Sequence, residues 1–208
     1  MKPPPNFHER RNELFQPIAE GIGRIAVLWN NIHEDLCGMF CEIIHHRTIY
    51  VPLAIWNVAR SDSLCRKLFD GVAQAAFAKE PVKRDSFSWL ISKLDNMASD
   101  RNSAIHSPLI TVIDNFGIMS IQANTILQNS PAKRWAKKDV LAELKRNHED
   151  LVKLADYAIG LRIQICAHGD KLPPWPERPV LPSEAQKATQ PGTVQKPGHK
   201  QRQRPQTP

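Results

Sequence analysis

Residues 17–45 have the sequence PIAEGIGRIAVLWNNIHEDLCGMFCEIIH, and the spacing of their apolar side chains indicates one long helix. Apolar residues recur at alternating intervals of four and three, which keeps them on one face of a helix. The members of this stripe are Ile18, Ile22, Ile25, Trp29, Ile32, Leu36, Met39 and Ile43. Because proline suits the first turn of a helix, we expect the helix to begin at Pro17 and to pack in a bundle.

Further segments extend this interpretation along the chain. Helices are expected over residues 53–59, 61–81, 85–107 and 139–165, from apolar spacing and from capping residues such as Ser61 and Asp139. Branched residues on both sides of Asp114-Asn-Phe-Gly117 predict a β-hairpin over residues 109–122. The sequence therefore predicts an all-α fold, a four- to five-helix up-and-down bundle with a small β-hairpin insertion and a disordered C-terminal tail.

The positive charge and the prolines are concentrated at the C-terminal end of the chain. The 208 residues carry a net charge of +7, and residues 170–208 hold +4 of it together with nine of the 17 prolines. Such a segment has too few apolar side chains to offset its ordering entropy. We therefore divide the chain into a flexible N-terminus (1–11), a helical bundle (12–169) and a basic, Pro-rich disordered tail (170–208).

Several classes of protein are excluded by composition. No apolar run is long enough for a transmembrane helix, and the N-terminus has no apolar signal region. Four cysteines in a chain of this length do not indicate a disulfide scaffold. P-loops, dinucleotide fingerprints and hydrolase elbows are absent from the sequence. These observations predict a cytoplasmic protein without membrane association.

The segment Asp100-Arg-Asn-Ser-Ala-Ile-His106 is the candidate functional site. Arginine is a permanent forked cation suited to phosphate, and histidine exchanges a proton near neutral pH. Asn102 and His106 are four residues apart, so they share a helix face. With gaps of four to six residues allowed, Arg162-x5-His168 also matches, but of these two arginines only Arg101 is followed directly by Asn. The ordinary alternative is that Arg101 forms a structural ion pair and that His106 caps helix carbonyls.

This segment resembles the signature of the HEPN superfamily, in which Arg, often followed by Asn, precedes His by four to six residues. The matching residues are Arg101, Asn102 and His106, and the long Ile-rich first helix supplies supporting context. The resemblance would cover about residues 12–168. It implies a helical bundle, and in many members a metal-independent endoribonuclease that acts as a dimer with one composite cleft.

The resemblance also implies roles for these residues. His106 would act as general base or acid, Arg101 would stabilise charge on the scissile phosphate, and Asn102 would orient His106 or the phosphate. The products would carry 2′,3′-cyclic phosphate ends, with no cofactor and no metal required. The implied partners are a second copy of the chain, RNA and an antagonist protein, in defence or toxin-type stress response.

Three other groups of residues have both functional and structural interpretations. A basic stretch with one aromatic residue would bind single-stranded RNA by charge and stacking, and its members are Lys133, Arg134, Trp135, Lys137 and Lys138. The alternative is that Trp135 packs inward. Glu34 would support the site by pairing with Arg101 or by changing the pKa of His106. The alternative is that it lies on a solvated face. Cys37, Cys41 and His45 share a helix face, but their spacing differs from zinc knuckles, so core packing is favoured.

A second class of function also fits the sequence. The long apolar seams suit a non-catalytic helical module that binds itself or another chain, or a nucleic-acid-binding module that uses the basic stretch and the tail. In the interaction module, Arg101 and His106 would point apart, or His106 would be enclosed by packing.

Overall fold

The structure, a computed structural model, describes residues 6–45, 47–114, 119–124, 135, 138–167 and 172–189. Its elements in chain order are helices α1 (Phe7–Ile44), α2 (Tyr50–Val58), α3 (Asp62–Ala76) and α4 (Pro81–His106), strands β1 (Leu109–Ile113) and β2 (Met119–Ala123), and helices α5 (Val140–Cys166) and α6 (Pro182–Thr189). The predicted helical bundle with a small hairpin insertion is confirmed. Among the described helices, none combines the length and apolar character that crossing a membrane requires.

The apolar stripe of α1 forms the centre of the core, as predicted. Six of its eight residues are buried, namely Ile18, Ile25, Trp29, Ile32, Leu36 and Met39, and the other two are partly buried against them. The prediction that the helix begins at Pro17 was wrong, because α1 begins ten residues earlier at Phe7. The added turns include residues 7–11, which were predicted to be flexible. They are mostly exposed and polar, although Phe7, Leu14 and Phe15 are partly buried, and Gln16 donates to Glu20 at 3.2 Å. Pro17 therefore lies inside the helix, where it omits one backbone hydrogen bond.

Helices α1 and α5 run parallel and make the most extensive helix contact of the fold. Gly21 lies against Leu144, and Gly38 lies against Arg162, so both helices advance in the same direction. A Cβ atom at Gly21 would come within 3.3 Å of Leu144 Cδ1. Glycine at this position lets the two helices approach closely.

Capping residues explain where the remaining helices begin and end. Ser61 Oγ accepts from Leu64 N at 3.2 Å, which confirms the predicted N-cap of α3. Asp139 caps α5 in the same manner. Pro81 begins α4 instead of ending α3, because a first helical position needs no backbone N–H. Helix α4 ends at His106, since Pro108 disfavours helical geometry in Ser107.

The hairpin has the predicted antiparallel pairing, with Leu109 opposite Ala123 and Ile113 opposite Met119. The turn was predicted at residues 114–117, of which 115–117 lie outside the described residues. Met119 is buried, and β2 contacts both α1 and α5. The hairpin therefore packs on the bundle immediately after the candidate site on α4.

Residues 172–189 differ from the predicted disorder of the tail, because they pack against the bundle. Trp175 Nε1 donates to Ser86 Oγ at 3.0 Å, and Ser183 N donates to Asp150 Oδ1 at 3.0 Å. Leu181 is 3% exposed, and Lys93 forms an ion pair with Glu184. The few apolar side chains of the tail are concentrated in this segment, which is how it offsets its ordering entropy. Residues 190–208 lie outside the described residues.

Replacing Leu181 by Ala should lower the free energy of unfolding by about 2 kcal/mol or more, because it empties a buried site. Val180 is 72% exposed, so Val180→Ala is the matched control and should change stability by less than about 0.5 kcal/mol. Urea denaturation of both variants measures the difference. Equal stability of the two variants would show that the segment does not dock in solution.

Candidate functional site

The candidate site lies where the start of α3 meets the last turns of α4 over the middle of α1. Helices α3 and α4 are antiparallel, since Asp62 pairs with Arg101 at one end and Asp70 accepts from Ser88 nearer the other. Trp29 of α1 lies beneath the first pair, with its ring 1% exposed. Three helices therefore position the side chains around Arg101.

Arg101 is held by an aromatic ring and a carboxylate. Its guanidinium carbon lies 5.5 Å from the centroid of the Trp29 ring, in cation–π geometry. Arg101 Nη2 lies 3.7 Å from Asp62 Oδ2, and Trp29 Nε1 donates to the same oxygen at 2.8 Å. Asp62 therefore fixes both the indole and the guanidinium. The sequence analysis missed Asp62, whose position next to an N-cap suggests only a helix-end charge.

The guanidinium of Arg101 keeps donor capacity despite this pairing. A separation of 3.7 Å is longer than a hydrogen bond, so Asp62 attracts Arg101 without occupying an N–H. Arg101 Nη1 donates to Asn102 Oδ1 at 2.9 Å. Arg101 Nε is buried and has no hydrogen-bond partner among the described residues. The side chain as a whole is 21% exposed, so an anion would reach its exposed part and not the buried Nε.

A second arginine lies against the same indole ring. Arg66 is 3% exposed, and its guanidinium carbon lies 5.3 Å from the Trp29 ring centroid. Its Nε donates to Asp95 Oδ1 at 2.7 Å. Asp62 and Asp95 are about half exposed, with side-chain exposures of 48% and 46%. We call Trp29, His33, Asp62, Arg66, Asp95 and Arg101 the indole cluster.

The charges of the cluster act on the Asp62 carboxyl. Partial burial by itself would raise the pKa of Asp62. The hydrogen bond from Trp29 and the positive charges of Arg101 and Arg66 outweigh burial, so the pKa of Asp62 lies below its usual value. The carboxylate is therefore ionised at neutral pH and remains paired with Arg101.

His33 connects the two arginines to the backbone of α1. Its Nδ1 is 2.9 Å from the carbonyl oxygen of Trp29, and its Nε2 is 3.3 Å from Arg66 Nη1. These partners fit a neutral imidazole that donates through Nδ1 and accepts through Nε2. Burial lowers the pKa of His33, and the neighbouring positive charges of Arg66 and Arg101 act in the same direction. His33 therefore stays neutral in the folded protein.

This lowered pKa predicts a pH dependence of stability. In the unfolded chain His33 takes up a proton near pH 6.5, whereas in the folded protein it does so only at lower pH. The unfolded state then binds more protons, so the free energy of unfolding falls as pH decreases from 7 towards 5. His33→Gln, which keeps an acceptor for Arg66, should reduce this slope. Urea denaturation at pH 5, 6 and 7 measures it, and identical slopes would contradict the prediction.

His106 is separate from Arg101 within one protomer. It occupies the last turn of α4 and is exposed. Five residues along a helix correspond to a rotation of about 140°, so the two side chains leave α4 in different directions. Within the described part of the chain, no hydrogen bond or ion pair joins His106 to Arg101 or Asn102. The structure thus brings together Arg101 and Asn102, but not His106.

The other predicted site residues lie elsewhere. Glu34 is exposed and lines an open groove between α1 and α5, together with Asp35 and Arg162. The carboxylate that accompanies Arg101 is Asp62 instead, because His33, and not Glu34, shares the helix face of Trp29. Arg162 Nη1 donates to Asp35 Oδ1 at 2.7 Å, which ties α5 to α1.

The basic stretch does not offer a stacking platform. Trp135 is 1% exposed, so its ring is packed in the core and is not available to a base, contrary to the RNA-binding role predicted for it. Lys138 Nζ lies 3.3 Å from Glu143 Oε2. The predicted RNA-binding residues Lys133, Arg134 and Lys137 lie outside the described residues.

The cysteines of α1 pack as small apolar side chains. Cys37 and Cys41 are partly buried against the core. Burial raises the pKa of the Cys37 thiol to about 12, so it is not a thiolate at neutral pH. His45 projects into solvent with an 87% exposed side chain. In the described ranges, no group of three or more His, Cys, Asp or Glu residues has a metal-binding arrangement.

Comparison with known proteins leaves the chain without an assigned family. No family model, no curated protein and no solved structure matches it.

Proposed function

We propose that the protein is a metal-independent endoribonuclease that acts as a homodimer, with Arg101, Asn102 and His106 as its functional residues. The observation that carries the proposal is the arrangement of Arg101. Its guanidinium lies against Trp29, its Nη2 is 3.7 Å from Asp62 Oδ2, and its side chain is 21% exposed. A preoriented cation with spare donors suits a phosphate whose negative charge increases during reaction.

Each residue has a defined role in this reaction. The ribose 2′-oxygen attacks the adjacent phosphorus atom, and the bond to the 5′-oxygen of the next nucleotide breaks. His106 takes the proton from the 2′-hydroxyl or donates one to the leaving 5′-oxygen. Arg101 stabilises the phosphate oxygens, and Asn102 holds Arg101 Nη1 in position. The products carry a 2′,3′-cyclic phosphate and a 5′-hydroxyl group.

Two copies of the chain would supply groups that one copy separates. Since Arg101 and His106 leave α4 in different directions, a second protomer can place its His106 opposite the first. One His106 would then act as base and the other as acid. The setting that we propose is a cytoplasmic defence or toxin-type stress response, in which an antagonist protein restrains the enzyme.

A non-catalytic interaction module is the second candidate. The observation in its favour is that Arg66 and Arg101 both pair with carboxylates, Asp95 and Asp62, as in a structural ion-pair network. In that case the indole cluster would only connect α1, α3 and α4. Binding without cleavage would then be the measurable property.

Incubation of the purified full chain with structured RNA in EDTA tests the proposal. We expect cleavage fragments with 2′,3′-cyclic phosphate ends. DNA of the same sequence is the matched control and should remain intact, because it has no 2′-hydroxyl. RNA fragments no more abundant than those from a mock purification would overturn the enzyme proposal.

A further inference from the structure

Helix α2 is apolar on all sides except at the exposed Asn57, yet the bundle covers only half of it. Pro52 and Trp56 are buried on one side. The side chains that face away from them and are exposed are Tyr50, Val51, Ala54, Ile55 and Val58. At 100° per residue these five fall within an arc of about 140°. A helix that is apolar on all sides is normally covered on all sides.

The uncovered surface is large for one short helix. Tyr50 is 78% exposed and Val58 is 76% exposed, and Ile49, at the N-cap, adds to the same region with 58%. The exposed apolar area amounts to roughly 500 Å², near the upper limit of what monomers leave bare. We call this surface, formed by Ile49, Tyr50, Val51, Ala54, Ile55 and Val58, the α2 face.

Its size fits a second copy of the chain. Stable dimers bury about 800 Å² per partner, of which the apolar centre is only part and a polar rim supplies the rest. Arg47, Arg60 and Asp62 are exposed at the two ends of α2 and can supply that rim. Residues 190–208 of the same chain fit poorly, because Val194 is their only aliphatic residue and cannot cover the apolar face.

The charges at one end of the α2 face are self-complementary. Arg60 and Asp62 are both exposed, carry opposite charges and are two residues apart. In a two-fold arrangement, where each copy presents the same surface, Arg60 of one copy can pair with Asp62 of the other. Asp62 also belongs to the indole cluster, so the face is continuous with the environment of Arg101.

We infer that the α2 face is the surface through which two copies of this chain associate, with Asp62 at the edge of the interface. The inference deepens the proposed function. Only the biological role of the dimer rests on that function, because the surface itself is identified from exposed apolar area and charge. Pairing through α2 brings both indole clusters to the interface. Each Arg101 then lies next to a boundary with the partner copy.

Sedimentation equilibrium of the full chain, with Val58→Asp as the variant, tests the inference. Wild type should be a dimer at micromolar concentration. The buried charge in the variant should weaken association by at least about 100-fold. Val82 is 67% exposed on α4, outside the α2 face, so Val82→Asp is the matched control and should remain dimeric. Because Val58 projects into solvent in one copy, both variants should keep the circular dichroism spectrum of wild type.

Each outcome decides between the possibilities. The inference is overturned if wild type is still monomeric at a concentration 100-fold above the micromolar range. It is also overturned if Val58→Asp remains a dimer. Flotation of monomeric wild type with vesicles of anionic lipid, lost in Val58→Asp, assigns the face to a membrane surface and also overturns it. A dimer that fails to cleave RNA leaves the α2 inference intact and removes the proposed function. A monomer that cleaves RNA overturns the α2 inference and the dimeric mechanism, and keeps only the ribonuclease activity.

Discussion

Replacing His106 by Ala should lower the rate of RNA cleavage by about 100- to 10,000-fold, the usual range for loss of a general acid or base. The imidazole is the proton-transfer group of the proposed reaction, so the chemical step slows while RNA affinity changes little. His106 is exposed in the last turn of α4, so the variant should remain folded. Single-turnover cleavage at saturating protein concentration measures the chemical step directly.

A matched histidine on another helix controls for nonspecific effects. His148 is half-buried on α5, next to Arg24 and Val27 of α1 and not in the indole cluster. His148→Ala should cleave RNA at the rate of wild type. If His106→Ala and His148→Ala cleave equally well, His106 has no role in proton transfer and the proposed mechanism fails.

Replacing Trp29 by Ala should lower the free energy of unfolding by about 3–5 kcal/mol. The substitution removes a side chain that is 1% exposed, the hydrogen bond to Asp62, and the ring against which Arg66 and Arg101 both lie. The ionised Asp62 then loses a hydrogen-bond donor, and the buried Arg66 loses its ring contact. Both losses add to the cost of the cavity. Urea denaturation at pH 7 measures the effect.

Two further variants distinguish the stability lost by creating a cavity from the stability lost with the polar contacts. Trp29→Phe keeps most of the buried volume but has no N–H, so it should cost about 1 kcal/mol for the hydrogen bond to Asp62. Trp89 is a half-buried tryptophan of α4 that packs edge-on against Tyr157, and Trp89→Ala is the control for loss of an indole elsewhere. If Trp29→Ala costs no more than Trp89→Ala, the indole cluster does not hold the three helices together.

The sequence predicted the helices well because local rules determine them. The stripe from Ile18 to Ile43 has one period, and burial follows it along α1. Ser61 and Pro108 act on their immediate backbone neighbours, so the start of α3 and the end of α4 were found. The start of α1 was missed because Pro17 favours a first turn without requiring one. The docking of residues 172–189 was missed because composition does not show which surface of the bundle is available to them. Trp175 packs there against Ser86 and Phe87.

The candidate site was predicted only in part, for a related reason. Arg101, Asn102 and His106 were found because they are contiguous in one segment. Asp62, which holds Arg101, is 39 positions away in the sequence, and no spacing rule connects the two residues. The interior position of Trp135 likewise depends on the helices around it, since a basic stretch with one tryptophan is the same sequence whether the ring faces RNA or the core.

The sequence by itself determined the class of fold, the order of the helices, the hairpin, and the segment that contains the candidate site. These features follow from periodicity and capping, which act over a few residues. Only the tertiary structure decided which carboxylate holds Arg101, that Trp29 lies against two guanidinium groups, and which half of α2 is uncovered. The physical reason is that ion pairs, ring contacts and burial depend on distances between residues far apart in the chain, and packing sets those distances.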